Sequence, residues 1–348
     1  MTLRSGTLLS TETEPPAASL PPVDDPRYFP AAFVEHLTST YHGTGIDMKL
    51  YHDYMFREIQ RGREIVRVIN ERSQIAGKDV LDVGCGYGGL LIVMKEAGAR
   101  SLTGIEVDQY RLEWSPKRLD SLGYQAKIME LDVCRPEAPE KLGMFDVILA
   151  QDVIEHVPDP RTTIRHLCQM LRPGGAIYVQ VGNKFSPDQL VADHHYRLPG
   201  ITMLSRAQAI EYFCQRKHLT ENLYGVGYWR EEKYYRNVFR RQGVPLERVD
   251  KYPTPDHVLW YANAINEMCI QLKQDLWPDL RPELGQRMKK RMTKIAQLYV
   301  HASRQLQEIA AKQPELLEAA CDAIAGRILT GVLRFVGKRA GRNGGGAA

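Results

Sequence analysis

Val80-Leu81-Asp82-Val83-Gly84-Cys85-Gly86-Tyr87-Gly88-Gly89 is a short apolar run that stops at glycines. It is too short for a helix and reads as a buried strand opening into a ligand loop. Helical spacing follows in Leu90, Leu91, Val93 and Met94. Upstream, Met55, Phe56, Ile59, Ile65, Val66 and Ile69 predict a helix between about residues 50 and 75. Downstream, apolar runs at 102–107, 126–131, 145–150 and 176–181 predict four more strands. A polar helix over about 109–122 and a helix marked by Ile164, Leu167 and Leu171 lie between them. Short apolar strands alternating with helices predict an α/β fold, a doubly wound, Rossmann-like and mostly parallel sheet. Its ligand belongs at the carboxyl ends of the strands, at the switch point.

The chain has 348 residues, 43% apolar and 25% charged, as in an ordinary globular protein. Its formal net charge of +4, from 46 basic and 42 acidic residues, is too small to argue for nucleic acid as a partner. The six cysteines form no C-x-x-C pair, which suggests neither a zinc site nor a disulfide framework. The brief Leu8-Leu9 pair is too short for a signal peptide, and no run reaches membrane-spanning length. A cytoplasmic location is expected.

Gly84, Gly86 and Gly89 satisfy G-x-G-x-x-G, and Glu106 ends the second strand about 20 residues on. The loop alone therefore fits a nicotinamide cofactor as well as S-adenosylmethionine. Asp82 separates the two readings. A carboxylate inside the strand, two residues before the glycines, would repel a pyrophosphate but suits a ligand with a sulfonium and an amino group. The fourth strand then runs into Gln151-Asp152-Val153-Ile154-Glu155-His156-Val157-Pro158.

Taken in order, Val80–Gly88, Gly104-Ile105-Glu106-Val107-Asp108, Leu131-Asp132-Val133, Phe145-Asp146-Val147-Ile148, Glu155-His156-Val157 and Leu171-Arg172-Pro173-Gly174-Gly175 resemble the motifs of class I S-adenosylmethionine-dependent methyltransferases. The resemblance covers about residues 55–185, roughly two-fifths of the chain. It implies that Asp82 orients the methionine end of the cofactor, above the backbone of Gly84, Cys85 and Gly86. It also implies that Glu106 binds the ribose diol with Val107 against the adenine. Asp132 and Val133 would flank the adenine amino group, and Gln151 would close the site.

Asp152, Glu155 and His156 fall at i, i+3 and i+4 and would share one face if this segment were helical. Two carboxylates and an imidazole can hold a divalent ion such as magnesium. The stretch also resembles ubiquinone-pathway O-methyltransferases, where an acid–acid–histidine set is linked with a metal, although the first acid here is Asp rather than Glu. The alternative is that Glu155 and His156 only shape the pocket. A hydroxyl acceptor needs its proton removed, and His156, His194 and His195 are the candidate bases. The resemblance thus implies methyl transfer to a small molecule, on oxygen, in secondary-metabolite, quinone or sugar biosynthesis. A carbon or nitrogen acceptor, or a silent subunit that only binds, are the alternatives.

The rest divides into a disordered tail at 1–27, a methyltransferase domain at 28–254 with lid and acceptor loops at 183–254, and a helical C-terminal extension at 255–340. Ser205 and Gln208 form a capping box opening a helix to about Lys217. Leu219–Trp229 is a candidate sixth strand, and 230–254 follows no clear pattern. Met288, Met292, Ile295, Tyr299, Ala302, Leu306 and Ile309 recur at alternating four and three residues. That spacing suits a helical hairpin packed on its own chain or the seam of a homodimer. Arg327, Arg334, Lys338, Arg339 and Arg342, beside Ile328, Leu329, Val332, Leu333, Phe335 and Val336, predict a basic terminal helix. Such a helix packs with a solvated face or rests on an anionic membrane.

Overall fold

The computed structural model describes residues 21–40, 46–249, 255–278, 280–325 and 332–341. Most of the expected tail, residues 1–20, and the terminal 342–348 lie outside the described residues.

The expected strands form as β1 (Asp79–Val83), β2 (Ser101–Glu106), β3 (Lys127–Glu130), β4 (Phe145–Gln151) and β5 (Leu171–Gly182). Two more, β6 (Leu246–Arg248) and β7 (Val332–Lys338), complete a seven-stranded sheet in the order β3-β2-β1-β4-β5-β7-β6. Pairing is parallel from β3 through β5, whereas β7 runs antiparallel to both β5 and β6. The chain starts at β1, builds outward to β3, then returns to lay β4 on the other side of β1. The crevice between the ends of β1 and β4 is the switch point.

Helices α1 (Ala31–Ser39), α2 (Met48–Phe56) and α3 (Glu58–Asn70) precede the sheet. Crossovers are made by α4 (Gly89–Glu96), α5 (Gln109–Ser121), α6 (Ala138–Leu142) and α7 (Pro160–Met170). After β5 come α8 (Pro187–Val191), α9 (Arg206–Lys217) and α10 (Glu232–Arg241). The helical C-terminal region is α11 (Pro255–Gln271), α12 (Pro282–Lys312) and α13 (Leu317–Ala325), lying in chain order between β6 and β7.

The period of two along a strand sends neighbours to opposite faces, and both faces are covered. Val80, Val147, Leu149 and Tyr178 pack with residues of α3 and α4. Leu81, Val83, Ile148, Ala150, Ile177 and Val179 pack with residues of α7 and α10. A separate core joins α8, α9, α11 and α12. There Met288, Met292, Tyr299, Ala302 and Leu306 are buried within the chain, so the heptad seam closes a hairpin with α11.

Two expectations need correction. The segment 332–338 is a strand inside the sheet, not part of a basic helix. Leu333 and Phe335 enter one core and Val336 the other, an alternation hidden because the same apolar residues also fit a helical period. Arg339 follows this strand. It caps the end of α7 by donating from Nη1 to the carbonyls of Cys168 at 3.1 Å and Leu171 at 2.5 Å. Arg327, Ile328, Leu329 and Arg342 lie outside the described residues. Nor is 219–229 a strand: it is an extended loop. The sixth strand is β6, only three residues long and too short to show a period.

Candidate active site

Asp82 sits at the end of β1 and is 2% exposed, with Oδ2 buried and lacking a hydrogen-bond partner. Burial, with Glu106 nearby, holds its carboxyl well above the usual carboxylate range. A buried carboxylate left without a partner is costly unless a cation completes it. The amino group and sulfonium of S-adenosylmethionine are such cations, so the residues present fit that cofactor.

The loop after β1 turns through left-handed backbone at Gly84 (φ 67°) and Gly86 (φ 55°), a region glycine adopts without strain. A Cβ on Gly86 would meet nothing within 4 Å, which leaves its outer side open. Cys85 is buried beneath, against Gly104, where a Cβ would come 2.7 Å from its sulfur. Glu106 accepts from the backbone N–H of Gly86 at 3.0 Å through Oε2, and from Val107 and Asp108 at 2.7 and 3.0 Å through Oε1. One carboxylate thereby ties the β1 loop to the end of β2. Val107 beside it is 60% exposed, an open apolar surface. Asp132 accepts from the N–H of Cys134 at 2.8 Å, while Val133 is buried.

Four further groups meet at the end of β4. Gln151 donates from Nε2 to the Tyr54 hydroxyl at 3.1 Å, and Tyr54 donates to Oδ2 of Asp152 at 2.8 Å. Gln180 on β5 also donates to Asp152, at 2.9 and 3.1 Å to its two oxygens. Asp152 itself has φ 53°, an uncommon left-handed conformation for a non-glycine residue. Residues 152–158 are turns rather than a helix, which removes the premise for one shared face. Glu155 points elsewhere, accepting from the N–H of Gly182 at 3.0 Å. Burial, then the Asp152 charge, push its carboxyl up to about 8. His156 turns to Gly225 and His195. The three metal candidates are therefore engaged in separate directions. Among the described residues no three His, Cys, Asp or Glu side chains gather as a metal site.

His156 meets the Gly225 carbonyl through Nδ1 at 3.0 Å and His195 through Nε2 at 3.2 Å. His156 is solvent-accessible, whereas the His195 side chain is 24% exposed. Loss of hydration lowers the pKa of both rings, His195 well below the usual histidine value. His194 is not part of this pair; its Nε2 meets Asp188 at 2.9 Å. Trp229 borders the pair, 5.5 Å from the His195 ring between centroids. It also closes over Gly182, where a Cβ would approach its ring to 2.6 Å.

The N-terminal helices cover the cofactor loop. Tyr87 receives the hydroxyl of Tyr51 and meets Nε2 of His36, at 3.3 and 3.1 Å. Arg118, 1% exposed in its side chain, joins them: it pairs with Glu58 at 2.6 Å and donates to the carbonyls of Tyr87 and Tyr28 at 2.9 and 2.8 Å.

A family model described as a methyltransferase domain matches residues 51–258. The chain belongs to the class I S-adenosylmethionine-dependent methyltransferases. The ubiquinone biosynthesis O-methyltransferase of Pseudomonas paraeruginosa is 37% identical over 120 residues, 34% of this chain and 50% of that protein. The protein of the same name from Nitrosospira multiformis is 35% identical over 124 residues, 36% of this chain and 51% of that protein. The methyltransferase thus spans about half the length of these curated relatives. Among solved structures, magnesium protoporphyrin IX methyltransferase from Synechocystis is 18% identical, with a TM-score of 0.38 over 58% of this chain and 78% of that one.

Sequence reasoning left out several residues of this methyltransferase site. Tyr54 lies outside the motifs, Gln180 looked like an ordinary strand residue, Arg334 like part of a basic helix, and Gly225 carried no signal. None has a local pattern that marks it.

Proposed function

We propose that this chain transfers the methyl group of S-adenosylmethionine to an oxygen of a small molecule. The observation that carries this reading is the His156–His195 pair beyond the end of β4, two imidazoles 3.2 Å apart at their Nε2 atoms, both with lowered pKa. An uncharged imidazole is a competent general base near neutral pH, and a hydroxyl acceptor needs one. The names of the relatives agree with an oxygen acceptor.

Bound S-adenosylmethionine supplies an electrophilic methyl on a sulfonium. Asp82 answers the positive methionine end, and Glu106 offers a carboxylate to the ribose diol. Val107 and Val133 supply apolar surface to the adenine, and Asp132 an acceptor for its amino group. Gln151 and Tyr54, held on Asp152, wall the reacting end. His156 takes the acceptor's hydroxyl proton, and alignment of the oxygen with the methyl carbon does the rest. His194, paired with Asp188, takes no part in this scheme.

The partner is a small-molecule acceptor, with no role for nucleic acid given the small charge excess. Cysteines that form no disulfide among the described residues suit the reducing cytoplasm. Among the described residues no helix is long and apolar enough to cross a membrane.

Titration with S-adenosylhomocysteine, followed by incubation with methyl-labelled cofactor and a metabolite extract, tests the reading. Binding and a labelled product whose yield collapses in His156→Gln are expected. Binding with no product across broad extracts would favour a silent subunit, and labelled product found only on nitrogen acceptors would move the chemistry off oxygen.

A further inference from the structure

We propose that the His195–Tyr196 dipeptide fixes the tautomer of His156, leaving Nε2 of His156 as the atom that takes the acceptor's proton; this deepens the O-methyl-transfer reading and rests on it. A carbonyl oxygen only accepts, so the contact to Gly225 at 3.0 Å requires His156 to carry its proton on Nδ1. The uncharged ring then has its lone pair on Nε2. His195, 3.2 Å away, must donate to that lone pair from its own Nε2. His195 Nδ1 is left bare, and it is buried without a hydrogen-bond partner, 3.8 Å from Asp193.

The same turn controls the other end of the ring. Gly225 donates its N–H to the Tyr196 hydroxyl at 2.7 Å, so Tyr196 holds the carbonyl that defines Nδ1. Tyr196 is itself fixed between Phe213 and Tyr224, at 4.5 and 5.3 Å between ring centroids. Asp193, wholly buried, accepts the N–H groups of His195, Tyr196 and Leu198 at 2.9, 2.9 and 2.7 Å and so shapes the turn. Gly227 completes the device. Its N–H reaches the Glu155 carbonyl at 2.6 Å, and a Cβ there would lie 2.6 Å from the Val157 carbonyl, so only glycine lets the loop close on His156.

In the reaction the acceptor hydroxyl displaces the His195 N–H from Nε2 of His156. The O–H bond breaks, its proton goes to Nε2, and the oxygen's electron pair forms the bond to the methyl carbon. The carbon–sulfur pair leaves on sulfur, giving S-adenosylhomocysteine. Tyr196, Gly225 and His195 act as positioning groups; His156 alone meets the reacting atoms.

Long-range nitrogen–proton spectra of ring-labelled histidines in the full chain test the assignment, at about pH 8, above the ordinary histidine range. The expected result is an Nδ1–H pattern for His156 and an Nε2–H pattern for His195, identified with His156→Gln and His195→Gln. Tyr196→Phe removes one hydroxyl and keeps the ring. It should give His156 a mixed tautomer and lower turnover about tenfold, as for a weakened general base, with S-adenosylhomocysteine affinity unchanged. An Nε2–H pattern for His156 in the wild type would overturn the proposal. So would Tyr196→Phe with an unaltered His156 spectrum. Should that variant fail to fold, the wild-type spectrum alone decides. Because the spectra need no acceptor, the tautomers can be as assigned while no methyl transfer is found, which would sink the functional reading and leave the clamp standing.

Discussion

Arg334 on β7 and Gln180 on β5 are directly opposite in the antiparallel register, and Arg334 Nε donates to Gln180 Oε1 at 3.2 Å. Tyr178 donates to the same oxygen at 3.0 Å. With Oε1 occupied twice, the amide nitrogen of Gln180 can only face Asp152, where it donates to both carboxylate oxygens. The last strand of the chain thereby orients the reacting end of the site. Arg334→Met removes one of the two donors that hold the amide, leaving Tyr178 alone on that oxygen. Turnover should fall about tenfold, the effect of one misdirected hydrogen bond, while cofactor affinity holds. Steady-state kinetics beside calorimetric titration checks this, and wild-type turnover would show the link to be idle.

Asp82 is held in a costly state in the absence of cofactor. Asp82→Asn removes a buried carboxyl whose Oδ2 has no partner and should raise the unfolding free energy of the free protein by about 1 kcal/mol or more. The same change should weaken S-adenosylhomocysteine binding at least about tenfold, because a charged contact to the methionine end is lost. Thermal unfolding and titration read the two effects independently. A variant that is both less stable and unaltered in affinity contradicts the site.

Glu155 gives a pH signature. Its carboxyl is raised to about 8 in the folded chain, against the ordinary glutamate value of 4.5. Between those values the folded state holds a proton that the unfolded state has lost, so stability falls as pH rises through that window. Its contribution is fully present below the lower value and gone above the upper. Glu155→Gln should flatten this slope, with the gap between variant and wild type widening toward alkaline pH. Denaturant unfolding at several pH values measures it; parallel curves would refute the assignment.

Arg118 links the N-terminal cover to the cofactor loop through Glu58, Tyr28 and Tyr87. Arg118→Met leaves Glu58 buried without its cation, a loss of about 3–5 kcal/mol. Adding Glu58→Gln should recover part of that loss, since the stranded charge is then removed. If the double variant is as unstable as the sum of the singles, the pair is not coupled in the manner the geometry describes.

The sheet core and the placement of the candidate cofactor residues were legible in the sequence. Asp82, Gly84, Cys85 and Gly86 lie on one strand and its loop, and Glu106 and Val107 end the next strand, so local period and spacing fix where they fall. The acceptor half was not legible in the same way. Tyr54 reaches Asp152 from 98 residues away, His156 reaches Gly225 across 69, and Arg334 reaches Gln180 across 154. Residues that meet only through the fold leave no pattern along the chain. The acid–acid–histidine spacing misled for a related reason: it presumes a helix, and the chain turns there instead.

By itself the sequence determined that strands alternate with helices and that Val80–Gly89 is a strand ending in a glycine loop, because period and glycine placement are properties of a few consecutive residues. Only the tertiary structure decided which histidine joins His156, where the last strand lies, and what faces Asp152. Those depend on β7 returning between β5 and β6 and on two loops closing over β4, contacts set by packing rather than by neighbours in the chain.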